Sequence, residues 1–220
     1  MGRKLQVAVV LFDGVSALDA TAPYECLQLL PNTEVVFVSH TVGAHKDALG
    51  YLSLNSTHTF HEVSLPDIVI VPGGLGIKKL LKDLVVLDWL QQVNDTTLFT
   101  ASVGSGSLLL AEAGLLTGLS ATTHWAALEA LEKQGVKVAK GRVVQQGKII
   151  TAAGPTSGIE MGILLASLAT NKDFAKSVEL ILEYDPQPPF NTGSTTKAGA
   201  ELTAKATTML YANELKASNL

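Results

Sequence analysis

The chain has little of several things, and each scarcity excludes something. Among its 220 residues there is a single cysteine, Cys26, so no internal disulfide can form. Charged residues make up only 16% of the sequence, with a formal net charge of -4. The basic residues are scattered rather than clustered, which argues against nucleic acid and anionic membrane as partners. No uninterrupted apolar run approaches the ~20 residues of a membrane span. The opening "MGRKLQVAVVLF" carries too short an apolar run for a secretory signal, and Asp13 follows it closely. The glycosylation-like triplet at Asn94 then has no secretory context. A cytoplasmic, soluble protein is expected.

What the chain has in quantity is apolar residue, 47% of the sequence. At this length folding buries roughly 70% of the unfolded chain's surface, so no metal or disulfide staple is required. Apolar runs alternate with helical patterns. Strands are expected at 5–12, 34–39, 67–74 and 97–103, with a hairpin-like excursion over 47–60. Helices are expected at 17–31, 85–93, 107–116, 124–135, 156–169 and 173–184. Short strands fall within 136–154, and the segment 185–195 is irregular. Continuous apolar strand runs are the mark of a sheet covered on both faces. Strand–helix alternation predicts a three-layer α/β/α sandwich with a mainly parallel sheet. One domain is expected over 1–195, with a helical tail over 196–220 packed on it.

In such folds the site lies beyond the C-terminal ends of the strands. That selects Asp13 to Asp19, Pro72 to Gly76 and Val103 to Ser107. In "SVGSGS" a strand turns sharply into a helix. Glycine relieves the strain that the central residue of such an elbow bears, so Gly104 fits an ordinary tight turn. The turn still aims backbone N–H groups at one spot, which suits an anion or a developing oxyanion. The esterase pattern G-x-S-x-G does not fit at Ser105 or Ser107. Gly73, Gly74 and Gly76 after a buried strand allow a ligand to approach the backbone, but only part of a dinucleotide fingerprint is present.

Asp19, among Ala, Leu and Thr, reads either as a helix N-cap or as an acid whose pKa is raised by desolvation. His124 stands at a helix start. His58 and His61 have metal-like spacing, but no Cys or Asp completes a set, so no metal is called for. Cys26 reads as a buried structural residue.

These pieces together resemble the ThiJ/PfpI superfamily, relatives of the class I glutamine amidotransferases, and within it the isocyanide (isonitrile) hydratases. The residues that carry the resemblance are "LFDGVSALDATAP", "VPGGLG", "SVGSGSLLLAEAGLLTG", "ATTHWAALEAL", "GPTSGIEMGI" and "LEYDPQPPFNTGS", spanning about 5 to 195. The resemblance implies a flavodoxin-like sandwich, a homodimer, no cofactor and a small apolar organic substrate. It places the proton-handling acid at Asp19, the oxyanion-hole glycine at Gly74 and the family's histidine at His124. It puts Ser105 directly after the nucleophile position. Substrate contacts are implied at Gly73, Leu75, Val103 and Gly106, and at Trp125, Thr156 and Ser157.

The nucleophile position itself falls on Gly104, where the superfamily carries cysteine. Without a thiolate no covalent thioimidate can form, and Cys26 lies in the wrong element to replace it. Three accounts of Gly104 are open. The chain does cysteine-independent acid–base chemistry (hydration, elimination, isomerisation or cyclisation) with Asp19 moving the proton. Or the glycine was introduced to disable a hydratase. Or the chain is a non-catalytic protein that binds a ligand or partner. The first is preferred here, because Asp19, the glycine loop and "ATTHW" are all present together.

Overall fold

A computed structural model describes residues 4–218. The chain runs β1 (Leu5–Val10), α1 (Ala17–Leu27), β2 (Thr33–Ser39), β3 (Gly43–Lys46), β4 (Ser53–Ser56), β5 (His58–Thr59) and β6 (Ile68–Val71). It continues through α2 (Ile77–Leu80), α3 (Leu84–Thr96), β7 (Phe99–Val103), α4 (Gly106–Glu112), β8 (Ser120–Ala121) and α5 (Leu128–Lys133). Then follow β9 (Lys137–Val138), β10 (Val143–Gln146), β11 (Ile149–Ala152), α6 (Ser157–Ala169), α7 (Lys172–Ile181) and α8 (Thr195–Ser218).

Seven strands form the central sheet in the order β10-β11-β7-β6-β1-β2-β5. Every neighbouring pair is parallel except β10 with β11. The reason is legible in the middle strands. All four residues of β6, "IVIV", are buried, as are all four of β11. Such strands need a helical layer on each face. Helices α1, α6 and α7 pack together as one group, and α2, α3 and α5 each pack on α4 as another. The expected flavodoxin-like sandwich is what the chain forms.

The contact of α1 with α6 depends on small residues. A Cβ on Gly162 would stand 2.7 Å from both Cβ and Sγ of Cys26, and one on Gly158 would meet Ala22 at 3.3 Å. The two helices therefore approach closely at Cys26, whose burial is complete. This contact locks α1, and with it the turn that begins the helix, against the sheet.

Three local departures from the sequence reading have physical causes. The excursion begins earlier than 47: β3 and β4 pair antiparallel over 43–46 and 53–56, around a turn in which Asp47 Oδ1 accepts the N–H groups of Tyr51 and Leu52. The helix expected at 124–135 opens as a 3₁₀ turn at Trp125–Ala127 before α5, because His124 rather than a hydroxyl caps it. The tail forms a helix from Thr195, one residue before the expected start, and it is interrupted at Gly199, whose φ of +76° is not helical. None of the described side chains of α8 is buried, and Leu202, Met209, Tyr211 and Leu215 are exposed. No helix among the described residues is long and apolar enough to cross a membrane.

Candidate active site

Three loops meet at the C-terminal ends of β1, β6 and β7, and backbone hydrogen bonds interlock them. Ser16 donates its N–H to Gly73 O at 2.8 Å, and Gly76 donates to Gly14 O at 3.1 Å. Val15 forms an isolated antiparallel bridge with Gly74. The β3–β4 hairpin braces this junction from outside, through Gly14 N–H to Lys46 O and Lys46 N–H to the Asp13 carboxylate. The loop after β1 is thereby fixed against the glycine loop after β6.

Asp19 is the third residue of α1 and is only 4% exposed. It does not cap the helix. Its Oδ1 accepts the Ser16 hydroxyl at 2.9 Å, and its Oδ2 accepts the Gly73 N–H at 3.0 Å. Burial outweighs these two hydrogen bonds, which favour the charged form, and lifts the carboxyl from 3.8 to about 6. The side chain thus gains and loses its proton within reach of neutral pH, far closer to it than an ordinary carboxyl does.

The elbow after β7 is centred on Gly104, whose φ is +57°. That left-handed conformation costs an L-residue roughly 1–2 kcal/mol, so glycine is the residue the turn asks for. A Cβ on Gly104 would stand 2.5 Å from Asp19 Oδ2, and the three heavy atoms nearest that point outside the neighbouring residues all belong to the Asp19 carboxyl group. The carboxyl therefore occupies the space above the elbow. The Gly104 peptide is tied down on all sides. Its N–H donates to Ala152 O at 3.0 Å, and its carbonyl accepts the hydroxyls of Thr123 at 2.9 Å and Ser107 at 3.2 Å. Gly154 packs so tightly behind it that a Cβ there would meet Gly104 N at 2.7 Å.

Gly73 shows how close the parts sit. A Cβ on it would stand 2.6 Å from Ser105 N, 2.7 Å from Ser105 Oγ and 2.8 Å from Asp19 Oδ2. No side chain fits there. The Gly74 N–H, expected as an oxyanion-hole donor, is already committed: it donates to Ser105 Oγ at 3.1 Å. Ser105 itself is half-buried.

His124 is placed differently from the sequence expectation. Its Nδ1 accepts the Ala126 N–H at 3.3 Å, and burial pushes its pKa down. It is a neutral imidazole with the proton on Nε2. Among the described residues it makes no hydrogen bond to Asp19 or Ser105. Its neighbour Thr123 reaches the elbow, donating its hydroxyl to Gly104 O. Trp125 stacks on the His124 ring at 5.2 Å. Leu75 is half-buried beside Gly74.

Several residues expected to touch substrate also pack into the turn. Val103 and Ser157 are fully buried, and a Cβ on Gly106 would collide with Val71 O at 2.1 Å. Ser157 Oγ accepts the Gly154 N–H, which holds the loop packed on Gly104. Thr156 is exposed and accepts a hydrogen bond from Arg142 at 3.1 Å. Cys26 lies between α1 and α6, with burial pushing its thiol up to about 12.

Two contributors were not singled out from the sequence. Ser16 carried a signal, being a hydroxyl residue three positions before an acid at a helix start. Thr123 carried none: nothing local says that its hydroxyl crosses to the Gly104 carbonyl.

The comparisons with known proteins agree with this geometry. The DJ-1/PfpI family profile matches residues 5–168. The isonitrile hydratase of Pseudomonas putida is 40% identical over 190 residues, which is 86% of this chain and 83% of that one. A ThiJ/PfpI family protein from Pseudomonas syringae superposes with a TM-score of 0.90 at 30% identity, covering 99% of this chain and 90% of the other. Oxidized DJ-1 of Toxoplasma gondii, at 22% identity, has the same fold with a TM-score of 0.73, over 83% of this chain and 100% of its own. The chain belongs to the DJ-1/PfpI family.

Proposed function

We propose that this chain is an isocyanide-hydratase-like enzyme that works without a cysteine nucleophile, using Asp19 to move the proton on a small apolar substrate. One observation carries the reading: the Asp19 carboxyl, lifted to about 6 by burial, occupies the space directly above Gly104. The likeness to the P. putida isonitrile hydratase supports the choice of hydration among the acid–base reactions open to such a site.

The chemistry closes without a covalent intermediate. The isocyanide carbon bears a lone pair, and the Asp19 carboxyl donates its proton to it. This leaves a nitrilium cation beside the carboxylate. A water adds its oxygen to that carbon while the N–C π pair moves to nitrogen. The carboxylate takes the water's proton back, and the resulting N-substituted hydroxyimine tautomerises to the formamide. The sum is isocyanide plus water. Asp19 returns to its starting state. A buried acid of pKa near the working pH is suited to both directions of transfer. The same reading takes the chain as a cytoplasmic homodimer, for which the exposed Leu180, Ile181 and Phe190 after α6 offer apolar surface.

The test is phenyl isocyanide hydration, followed as N-phenylformamide, for the parent, Asp19→Asn and Gly104→Cys. Turnover by the parent that vanishes in Asp19→Asn is the expected result. A silent parent beside an active Gly104→Cys would sink it, and would mark the site as a thiol hydratase lacking its nucleophile.

A further inference from the structure

The Gly74 amide is spent on Ser105, yet the Ser105 hydroxyl proton is not spent on anything. Ser105 Oγ accepts the Gly74 N–H at 3.1 Å, and among the described residues no acceptor receives the Ser105 O–H. An amide donating to a hydroxyl oxygen draws electron density from it and makes its proton a better donor, since hydrogen bonds in a chain polarise one another. We propose that Ser105 relays the Gly74 amide outward, so that its hydroxyl, not the backbone N–H, is the donor that meets the substrate beside Asp19. This rests on the hydration reading above and adds to it a residue that touches the reacting group.

The placement supports the role. Ser105 Oγ and Asp19 Oδ2 lie 2.7 and 2.8 Å from one and the same point, the position of a Cβ on Gly73. That point itself is filled, but the shared distances place the Ser105 hydroxyl and the Asp19 carboxyl as close neighbours at the junction of the loops. Ser105 is half-buried, so a ligand can reach it. Its backbone is held rigidly, because the carbonyl before it takes two hydroxyl donors, Thr123 and Ser107. A donor fixed in this way costs no reorganisation when charge develops opposite it.

The chemistry also has a use for it. When water adds to the nitrilium carbon, the nitrogen gains a lone pair. Later the formamide oxygen becomes an acceptor on that same carbon. A hydroxyl donor next to the acid meets an acceptor atom bonded to the reacting carbon at both stages. The ligand class this site selects is therefore a small neutral molecule with a hydrogen-bond acceptor one bond from the carbon that Asp19 protonates.

The experiment compares the parent, Ser105→Ala and Ser105→Thr. Two readouts are taken: kcat and KM for phenyl isocyanide, and the Kd of N-phenylformamide by titration calorimetry. Ser105→Ala is expected to lower kcat by about 10-fold or more, with KM little changed. It should weaken N-phenylformamide by about 3- to 10-fold, the worth of one hydrogen bond. Ser105→Thr, which returns a hydroxyl, recovers most of both. Parent turnover with Ser105→Ala unchanged in both readouts overturns the relay and leaves the Asp19 chemistry standing. A parent that binds N-phenylformamide through Ser105 but hydrates nothing keeps the donor and removes the hydratase reading. Ser105→Thr failing as badly as Ser105→Ala, or a parent with neither turnover nor binding, overturns the relay.

Discussion

Asp19 and Gly104 share one space: the carboxyl oxygen lies 2.5 Å from where a side chain on the glycine would begin. The pair behaves as a unit, and changes at either member report on the other.

Asp19→Asn should abolish turnover while preserving the fold. Asparagine is the same size and can still accept the Gly73 N–H, but it has no proton to give. Loss of at least about 100-fold in kcat is expected, the usual worth of a general acid. Circular dichroism and the hydration assay check it together.

The pH dependence has a definite sign. The folded-state pKa of Asp19, about 6, lies above its ordinary 3.8. The native state binds the proton more tightly than the unfolded chain. The contribution to stability is therefore complete below about pH 4 and is lost as pH rises to about 6. It amounts to about 3 kcal/mol, at 1.36 kcal/mol per pKa unit. Urea denaturation across this range should show the parent losing ground to Asp19→Asn up to about pH 6 and no further change above it. The kcat/KM of hydration should fall as pH rises through the same value, since the acid form is the donor.

Gly104→Ala should cost roughly 1–2 kcal/mol from the left-handed backbone alone. It also pushes the Asp19 carboxyl aside from the Gly73 N–H. Activity should fall with stability, and urea midpoints alongside kcat measure both.

Cys26 should prove inert. Its thiol is buried and pushed up to about 12, so a disulfide-exchange reagent should label it only after unfolding. Cys26→Ser should leave turnover at the parent level. An activity loss on alkylation of the native protein would contradict this.

Gly162→Ala tests the seam between α1 and α6. Its methyl would meet Cys26 Sγ at 2.7 Å, and overpacking of this kind costs typically about 1–3 kcal/mol. The double variant with Cys26→Ala should recover part of the loss.

How much of this was legible in the sequence differs by element. The buried runs of β1, β6 and β7 carry their own signal, since "IVIV" and its neighbours have no polar face to offer. Their C-terminal ends then single out the three loops. Asp19 was legible as a candidate because an isolated acid in apolar company must be either capped or perturbed. Its hydrogen bond to Gly73 was not, because it joins residues 54 positions apart. The commitment of Gly74 to Ser105 was hidden for the same reason. The burial of Val103, Gly106 and Ser157 was not legible, since a motif marks which residues surround a turn but not which of them face inward. The interruption of α8 at Gly199 also escapes a local reading, because a glycine in a helical pattern does not say which φ it takes.

The elbow is anchored by Ala152, Thr123 and Ser107, and the acid by Ser16 and Gly73. None of these bonds uses the side chain at position 104. A side chain at that position therefore leaves these bonds of the elbow in place, and its cost falls on the Asp19 carboxyl and on the left-handed backbone. In genetic terms the glycine and cysteine codons can differ by one base, so on this frame the passage between a thiol-bearing elbow and an empty one is a single mutational step, one that also makes the Asp19 carboxyl shift to admit the new side chain.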